Sequence, residues 1–201
     1  MKYDGQTVKA WAGDSQWRAC CADLARFRAN GYSGWGSEGF WALAMFRLQK
    51  VVGAKQPRWV FGPIGFALNV PRKLMKTITN IDLNIGADIG PGTLITHQGP
   101  IHVQAGTKIG ADCAIHQSCT IGAGMRPGAA VVGDHVYVAC GASIIGPVKI
   151  GDNAVIGANS LVIADVPAGH TAIGVPARCF PPSNQGPYAT IPPEQSSAEA
   201  S

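Results

Sequence analysis

The chain lacks any apolar run close to the roughly 20 residues that a membrane-spanning helix requires. Its first residues also lack the basic-then-apolar pattern that marks a secretory signal. The formal net charge of +4 is modest, and no cluster of Lys and Arg stands out as a nucleic-acid patch. We therefore expect a cytoplasmic protein with neither a membrane nor a nucleic acid as its partner.

The cysteines show none of the spacings that are typical of zinc sites or of a disulfide framework. Cys20 and Cys21 are adjacent, while Cys113 and Cys119 occupy positions of a repeat that elsewhere carry small residues. We interpret these residues as buried thiols in a reducing compartment. The sequence therefore gives no reason to expect a bound metal.

What the chain does contain is a six-residue repeat of branched apolar residues. It occupies fourteen anchor positions in three runs, which are Leu83, Ile89, Ile95, Ile101, then Val103, Ile109, Ile115, Ile121, then Val132, Val138, Ile144, Ile150, Ile156, Val162. A period of six is too short for helical or propeller repeats and matches the short-period β-helices.

The residues around each anchor fit a triangular coil built from three hexapeptides. The next residue is often glycine, and the side chain four residues later is usually small, as at Thr93, Cys113, Ala142 and Ser160. Stacked coils of this kind bury a continuous core and pair their backbones about 4.8 Å apart. The sequence predicts a mainly β protein with a parallel β-helix over residues 81–180; the alternative is a β-sandwich of short strands.

The repeats are flanked by two segments of different character. Within residues 1–80, apolar residues recur at helical spacing from Trp17 to Phe27 and again after Ser37, which predicts helices with a mostly aromatic core. A third segment, punctuated by prolines, leads into the repeats. The tail at residues 181–201 is rich in Pro and Ser, and we expect it to be extended or disordered.

Two insertions interrupt the repeat. Extra residues in a solenoid form loops at the corners of the coil, and such loops often carry the binding or catalytic residues. The first adds two residues in the stretch THQGPIHV, which contains His97 and His102. The second adds five residues in the stretch GAGMRPGAAVV, which contains Arg126. We look for the functional site near these insertions.

His97 is the leading candidate because it follows the inward Ile95 by two residues and should project from the wall. Counting through the insertion makes Ile95 to Ile115 one full turn, which places His116 beside Thr96 and His97. Two imidazoles on one face can transfer protons near neutral pH. The competing interpretation is that a histidine caps a coil edge or bonds to backbone.

The segment from Asp82 to Arg178 resembles the hexapeptide-repeat acyltransferases, and most closely the serine O-acetyltransferases and the related polysaccharide O-acetyltransferases. The resemblance rests on the stretches THQGPIHV, IHQSCTIG, ACGASIIGPVKIGDNAVIGANSLV and ADVPAGHTAIGVPARCF. It implies a left-handed coil, against the usual right-handed rule for crossovers. It also implies a homotrimer that holds acetyl-CoA in the groove between subunits.

The resemblance implies roles for individual residues. His97 matches the general base that takes a proton from the acceptor hydroxyl, and Asp82 matches the carboxylate that orients its imidazole. The hydroxyl then attacks the thioester carbonyl of acetyl-CoA directly, with both substrates held in one cleft. The residues matched to the acetyl-CoA site are Cys140, Gly141, Ala158 and Arg178.

The chain also departs from the serine enzymes. They carry an aspartate where this chain has Thr96, a histidine after the loop arginine where Arg126 is followed by Pro127, and a lysine where it has Val155. Thr96, His116 and Arg126 remain the candidate acceptor-binding residues. The sequence ends in Ala-Ser and lacks the terminal isoleucine that docks cysteine synthase, so we expect no such complex.

The function predicted from these features is acetyl transfer from acetyl-CoA to the hydroxyl of a small acceptor, L-serine or a serine-like compound. One alternative acceptor is a sugar of a surface polysaccharide or its precursor. Another alternative is a zinc enzyme of the β-helical carbonic anhydrase type, suggested by the gap of five residues from His97 to His102. A non-catalytic scaffold would follow if His97 were buried.

Overall fold

The computed structural model describes residues 15–33, 36–54, 63–64 and 66–182. The helices bounded within these ranges are α1 (Ser15–Ala29), α2 (Glu38–Ala54) and α3 (Asn69–Thr79). The strands that follow are β1 (Ile81–Leu83), β2 (Asp88–Ile89), β3 (Leu94–Ile95), β4 (Ile101–Val103), β5 (Lys108–Ile109), β6 (Ala114–Ile115), β7 (Thr120–Gly122), β8 (Val131–Val132), β9 (Tyr137–Val138), β10 (Ser143–Ile145), β11 (Lys149–Ile150), β12 (Val155–Ile156), β13 (Leu161–Val162), β14 (Thr171–Gly174) and β15 (Ala177–Phe180). Apart from its first two residues, the predicted tail lies outside the described ranges.

The strands form three sheets, and each turn of the chain adds one strand to each sheet. Sheet A joins β1, β4, β7, β10 and β13; sheet B joins β2, β5, β8 and β11; sheet C joins β3, β6, β9, β12, β14 and β15. Neighbours are parallel, except that β15 returns antiparallel to β14. Ile95 lies opposite Ile115, so one turn contains three hexapeptides, as the sequence predicts.

The interior of the solenoid is the apolar column that the repeat predicts. All fourteen anchors are buried, and none has more than 6% of its surface exposed. The small residues near the corners, such as Thr93, Cys113, Ala142 and Ser160, are buried as well. Because each wall sends one large side chain inward per coil, stacking the coils buries a continuous core. The predicted parallel β-helix is confirmed.

Glycine is required where successive coils approach each other most closely. A Cβ added to Gly110 would stand 2.4 Å from the carbonyl oxygen of Gly133 on the next coil. The obstacle is backbone and cannot turn aside, so no larger residue fits without moving the coils apart. The glycines that follow the anchors therefore set how tightly the coils stack.

Helices α1 and α2 pack against each other and against β3. Phe27, Phe40 and Phe46 join the core, as expected for the aromatic residues. Trp17 does not: it is 71% exposed, and its predicted burial is wrong. The buried face of α1 includes the polar side chains of Gln16 and Asp23. The predicted burial of Cys21 is therefore also wrong, since this thiol is exposed on the other face, whereas Cys113 and Cys119 are buried as expected.

Helix α3 follows in the segment that the sequence marks by its prolines. Pro71 lies in its first turn, where a missing N–H is tolerated, so this proline begins a helix instead of ending one. Among the described residues, no helix combines the length and the apolar character needed to cross a membrane.

A buried ion pair joins the helices to the solenoid. Arg47 donates to the two carboxylate oxygens of Asp23, from Nε at 2.6 Å and from Nη2 at 3.1 Å. Its Nη1 donates to the Gln16 side chain and to the carbonyl of Ile89, and its Nη2 also donates to the carbonyl of Gly90. All five N–H groups of the guanidinium are thereby bonded.

Changing Arg47→Ala should lower the free energy of unfolding by about 3–5 kcal/mol, because Asp23 would remain buried without its counterion. Urea unfolding followed by circular dichroism measures the loss. The matched control is Arg26→Ala, which breaks the pair of Arg26 with Asp112, whose side chains are 30% and 42% exposed. That change should cost less than about 1 kcal/mol. Equal losses in both variants would contradict this interpretation of the buried pair.

Candidate active site

His97 lies at the corner where the chain passes from sheet C to sheet A. Its φ of 65° is left-handed, as at other corners of the solenoid, and its side chain is exposed outside the prism. Gly99 completes the turn with a φ of 150°, and a Cβ there would stand 2.9 Å from Cβ of Gln117. The inserted residues thus widen this corner and place the imidazole on the outer surface.

The predicted meeting of two imidazoles is present at this corner. The ring centroids of His97 and His116 are 6.1 Å apart, and His116 lies 4.8 Å from the ring of Tyr137 on the third coil. Burial lowers the pKa of His116, and the charge of His97 lowers it further. His116 is therefore neutral at neutral pH, when an imidazole can accept a proton or a hydrogen bond.

The helical region supplies a wall of the site. Tyr32 lies just after α1, and its ring packs edge-on against His97 with the two ring centroids 6.5 Å apart. The first turn of α2 lies on the same corner, where a Cβ on Gly39 would stand 2.4 Å from the carbonyl oxygen of Ile95. Glu38 accepts a hydrogen bond from Gln98. His97 is thus enclosed on one side by residues that precede the repeats.

The Asp82 carboxylate has a different partner from the one that the resemblance implies. Asp82 is central in β1, and the register places His102 of β4 directly opposite it. Its Oδ2 is 3.3 Å from Nδ1 of His102 and accepts a hydrogen bond from Nζ of Lys76 at 2.7 Å. None of its hydrogen bonds within the described residues reaches His97. The wall of sheet A carries Asp82, whereas His97 lies in the turn beside it.

Two polar atoms near His97 have no hydrogen-bond partner in the described part of the chain. They are Oγ1 of Thr96, a residue that is only 5% exposed, and Oε1 of Gln117, whose position on the next coil matches that of His97. Buried polar atoms are usually bonded. Both atoms are covered by the protein, so the corner beside His97 contains polar groups whose hydrogen bonds are not satisfied within the described residues.

The residues matched to acetyl-CoA lie on the same corner, on higher coils. The register of sheet C places Cys140 and then Ala158 above Gln117. Gly141 has a φ of 73°, and a Cβ there would stand 2.1 Å from the side-chain oxygen of Asn159. Cys140, Gly141 and Ala158 are half-buried, and Arg178 is exposed on β15. These residues line a continuous strip that begins at His97.

Arg126 is not brought to this corner. Its loop leaves the solenoid between β7 and β8, where the chain passes from sheet A to sheet B, and its side chain is exposed. Val155, where the serine enzymes carry a lysine, is 9% exposed on sheet C. Within one chain the loop and His97 thus occupy different corners of the prism.

Sequence reasoning missed two residues of the site. Tyr137 lies opposite Ala114, so counting one turn from His116 leads to Ala139 instead, and the signal for Tyr137 is only that it directly precedes the anchor Val138. Tyr32 carries no such signal, because its position depends on how α1 packs. The described residues contain no group of three or more His, Cys, Asp or Glu that could hold a metal ion.

Comparison with known proteins agrees with this architecture. The family described as "Bacterial transferase hexapeptide (six repeats)" matches residues 129–164. A serine acetyltransferase from Helicobacter pylori (strain J99) is 35% identical over 143 residues, which cover 70% of this chain and 80% of the relative. One from Mycobacterium tuberculosis is 34% identical over 119 residues, and the match spans only 52% of that relative.

Solved structures give the same answer. Soybean serine acetyltransferase, without ligand, superposes with a TM-score of 0.71 at 31% identity, covering 82% of this chain and 69% of that one. A serine acetyltransferase in complex with CoA superposes with a TM-score of 0.70 at 26% identity, covering 83% of this chain and 70% of that one. Together with the hexapeptide coils and the histidine corner, these matches show that the chain belongs to the serine acetyltransferase family of hexapeptide-repeat transferases.

Proposed function

We propose that the chain is an O-acetyltransferase that moves the acetyl group of acetyl-CoA to the hydroxyl of L-serine or a serine-like acceptor. The observation that carries the proposal is the position of His97, an exposed imidazole that lies 6.1 Å from the ring of His116 at an outer corner of the solenoid. The similarity to serine acetyltransferases supports serine as the acceptor. The chain spans only about half of the Mycobacterium tuberculosis relative. The activity of that longer protein is therefore proposed for this chain and does not follow from the similarity alone.

His97 acts as the general base. It takes the proton of the acceptor hydroxyl as the oxygen attacks the thioester carbonyl, and the C–S bond breaks when the tetrahedral intermediate collapses. The proton then passes to the sulfur of CoA. Backbone N–H groups stabilise the oxyanion. Neutral His116 keeps a second positive charge away from His97. Asp82 lies on the neighbouring wall, where it bonds to His102 and Lys76 instead of orienting the His97 ring.

Acetyl-CoA lies along the strip that rises from His97. The half-buried backbone near Cys140, Gly141 and Ala158 holds the pantetheine arm, and Arg178 lies near the phosphates. Holding both substrates at one corner makes their reaction a local step. A serine acetyltransferase solved with CoA shares this fold, which supports acetyl-CoA as the co-substrate.

The groove is completed by a neighbouring copy in a homotrimer. Arg126 and His97 occupy different corners of one prism, so the loop can meet an imidazole only on another copy. In that arrangement the guanidinium of Arg126 binds the carboxylate of the acceptor, as arginine commonly does.

A second candidate acceptor is a sugar hydroxyl. Thr96 and Gln117 are neutral, and no carboxylate among the described residues bonds to His97. A site with neutral partners discriminates poorly in favour of an ammonium group. Rings of Tyr32 and Tyr137 at the same corner offer apolar surface to a larger acceptor.

Changing His97→Ala should lower kcat by on the order of 100-fold or more while the Kd for acetyl-CoA stays near normal. Thiol release from acetyl-CoA, measured against serine and a panel of sugars, gives the rate and identifies the acceptor. The control is His135→Ala, an exposed histidine on another corner, which should keep full activity. An unchanged rate in the His97 variant would remove this imidazole from the mechanism.

Changing Arg126→Ala should raise the KM for serine and leave kcat nearly unchanged, because a bond to the carboxylate is lost. Mixing this variant with His97→Ala during refolding or co-expression tests the shared groove. If the two residues come from different copies, mixed trimers regain a fraction of low-KM activity. No recovery on mixing would place both residues in one copy and contradict the proposal.

Acetyl-CoA should protect Cys140 from alkylation by iodoacetamide, about tenfold at ten times its Kd. Peptide mass mapping reports each thiol separately. Exposed Cys21 on α1 is the matched control and should react equally with and without acetyl-CoA. Cys113 and Cys119 should stay unmodified because burial raises the pKa of each thiol, to about 12 and about 11. Equal alkylation rates of Cys140 with and without acetyl-CoA would show that acetyl-CoA does not bind over this residue.

A further inference from the structure

Helix α3 carries an apolar stripe that nothing in the described part of the chain covers. Val70, Leu74 and Ile78 of α3 are spaced four residues apart and are 71%, 60% and 66% exposed. Phe66 lies three residues before the helix begins, continues the same spacing and is 78% exposed. Residues at this spacing share one face of a helix. We call these four residues the α3 stripe. Single exposed apolar residues are common, but a row of this kind marks an interaction surface.

The opposite face of α3 is already occupied. Gln49 of α2 donates a hydrogen bond to the carbonyl of Leu68 at 3.2 Å, just before the helix. Arg72 and Met75 line a cleft shared with α2 and β1, and Thr79 is 2% exposed. The orientation of α3 is therefore fixed, and its stripe is directed away from the body of the protein.

The positive charge near the α3 stripe indicates which kind of surface the stripe binds. Between Glu38 and Asp82 the sequence contains no acidic residue. Arg47 in this stretch is buried against Asp23, and the other basic residues are Lys50, Lys55, Arg58, Arg72, Lys73 and Lys76. Lys73 and Lys76 are exposed on α3 itself. Lysine beside an apolar stripe is typical of helices that lie in the headgroup region of anionic membranes.

We propose that the α3 stripe docks on an anionic lipid surface, with its four apolar side chains among the acyl chains and Lys73 at the headgroups. A second copy is the less suitable occupant, because pairing two stripes would bring Lys73 of one copy close to Lys73 of the other. The expectation of no membrane partner rested on the absence of a spanning run, and a helix that lies on the surface needs no such run. The inference does not depend on the acetyl-transfer reaction.

Flotation with vesicles tests the proposal on the full chain. The wild-type protein should float with vesicles of 70% phosphatidylcholine and 30% phosphatidylglycerol, and not with phosphatidylcholine alone. Val70→Ser with Leu74→Ser should weaken binding by on the order of tenfold or more, because apolar area is lost. Lys73→Gln should weaken it about fivefold, as expected for one basic residue near such a surface.

The matched control is Met125→Ser with Ile163→Ser, which removes two exposed apolar side chains on the solenoid and should leave flotation unchanged. Light scattering after size exclusion reports the mass of every variant. The proposal is overturned if wild type does not float, if it floats equally with neutral vesicles, or if the serine pair floats like wild type. A smaller mass for the serine pair would assign the stripe to a subunit contact and would also overturn it. If the Val70→Ser, Leu74→Ser variant does not fold, the weaker flotation expected of Lys73→Gln still tests the proposal, and unchanged flotation of that variant overturns it.

Discussion

Backbone pairing between successive coils is the constraint on which the rest of the structure depends. The amide of Thr96 donates to the carbonyl of Ile115 at 3.2 Å, and the amide of His116 donates to the carbonyl of Val138 at 3.0 Å. Since this pairing repeats once per turn, side chains at equivalent positions stack in columns along the prism. A site on such a corner is built from residues that are distant in sequence but one coil apart in space.

This regularity explains why so much of the solenoid is readable from sequence. The fourteen anchors, the turn from Ile95 to Ile115 and the closeness of His97 to His116 all follow from counting. Contacts in the helical region do not repeat, so counting placed Trp17 inside when it is exposed. The contact of Tyr32 with His97 depends on that packing as well and carried no signal.

The hydrogen-bond partner of Asp82 shows a second feature that the sequence does not predict. Its distance in sequence from His97 matches the family, but the pairing within one chain is decided by which side chain lies directly across the sheet, and that is His102. Lys76 of α3 bonds the same carboxylate at 2.7 Å. The first coil thus connects directly to the helix that carries the apolar stripe, so the lipid surface proposed for that helix would lie at the same end of the solenoid as Asp82.

The ion pair of Asp23 and Arg47 has a consequence for how the protein behaves in solution. The first coil has no coil beneath it, and its free edge resembles the unpaired edge of any β-sheet. Arg47 occupies the carbonyls of Ile89 and Gly90 on that edge, and Asp23 accepts the amide of Thr93 at 3.0 Å. At the far end, β15 turns back antiparallel. The ion pair thus occupies backbone groups of the first coil that another strand would need, and β15 covers the outer edge of β14, which disfavours end-to-end pairing of prisms at these two places.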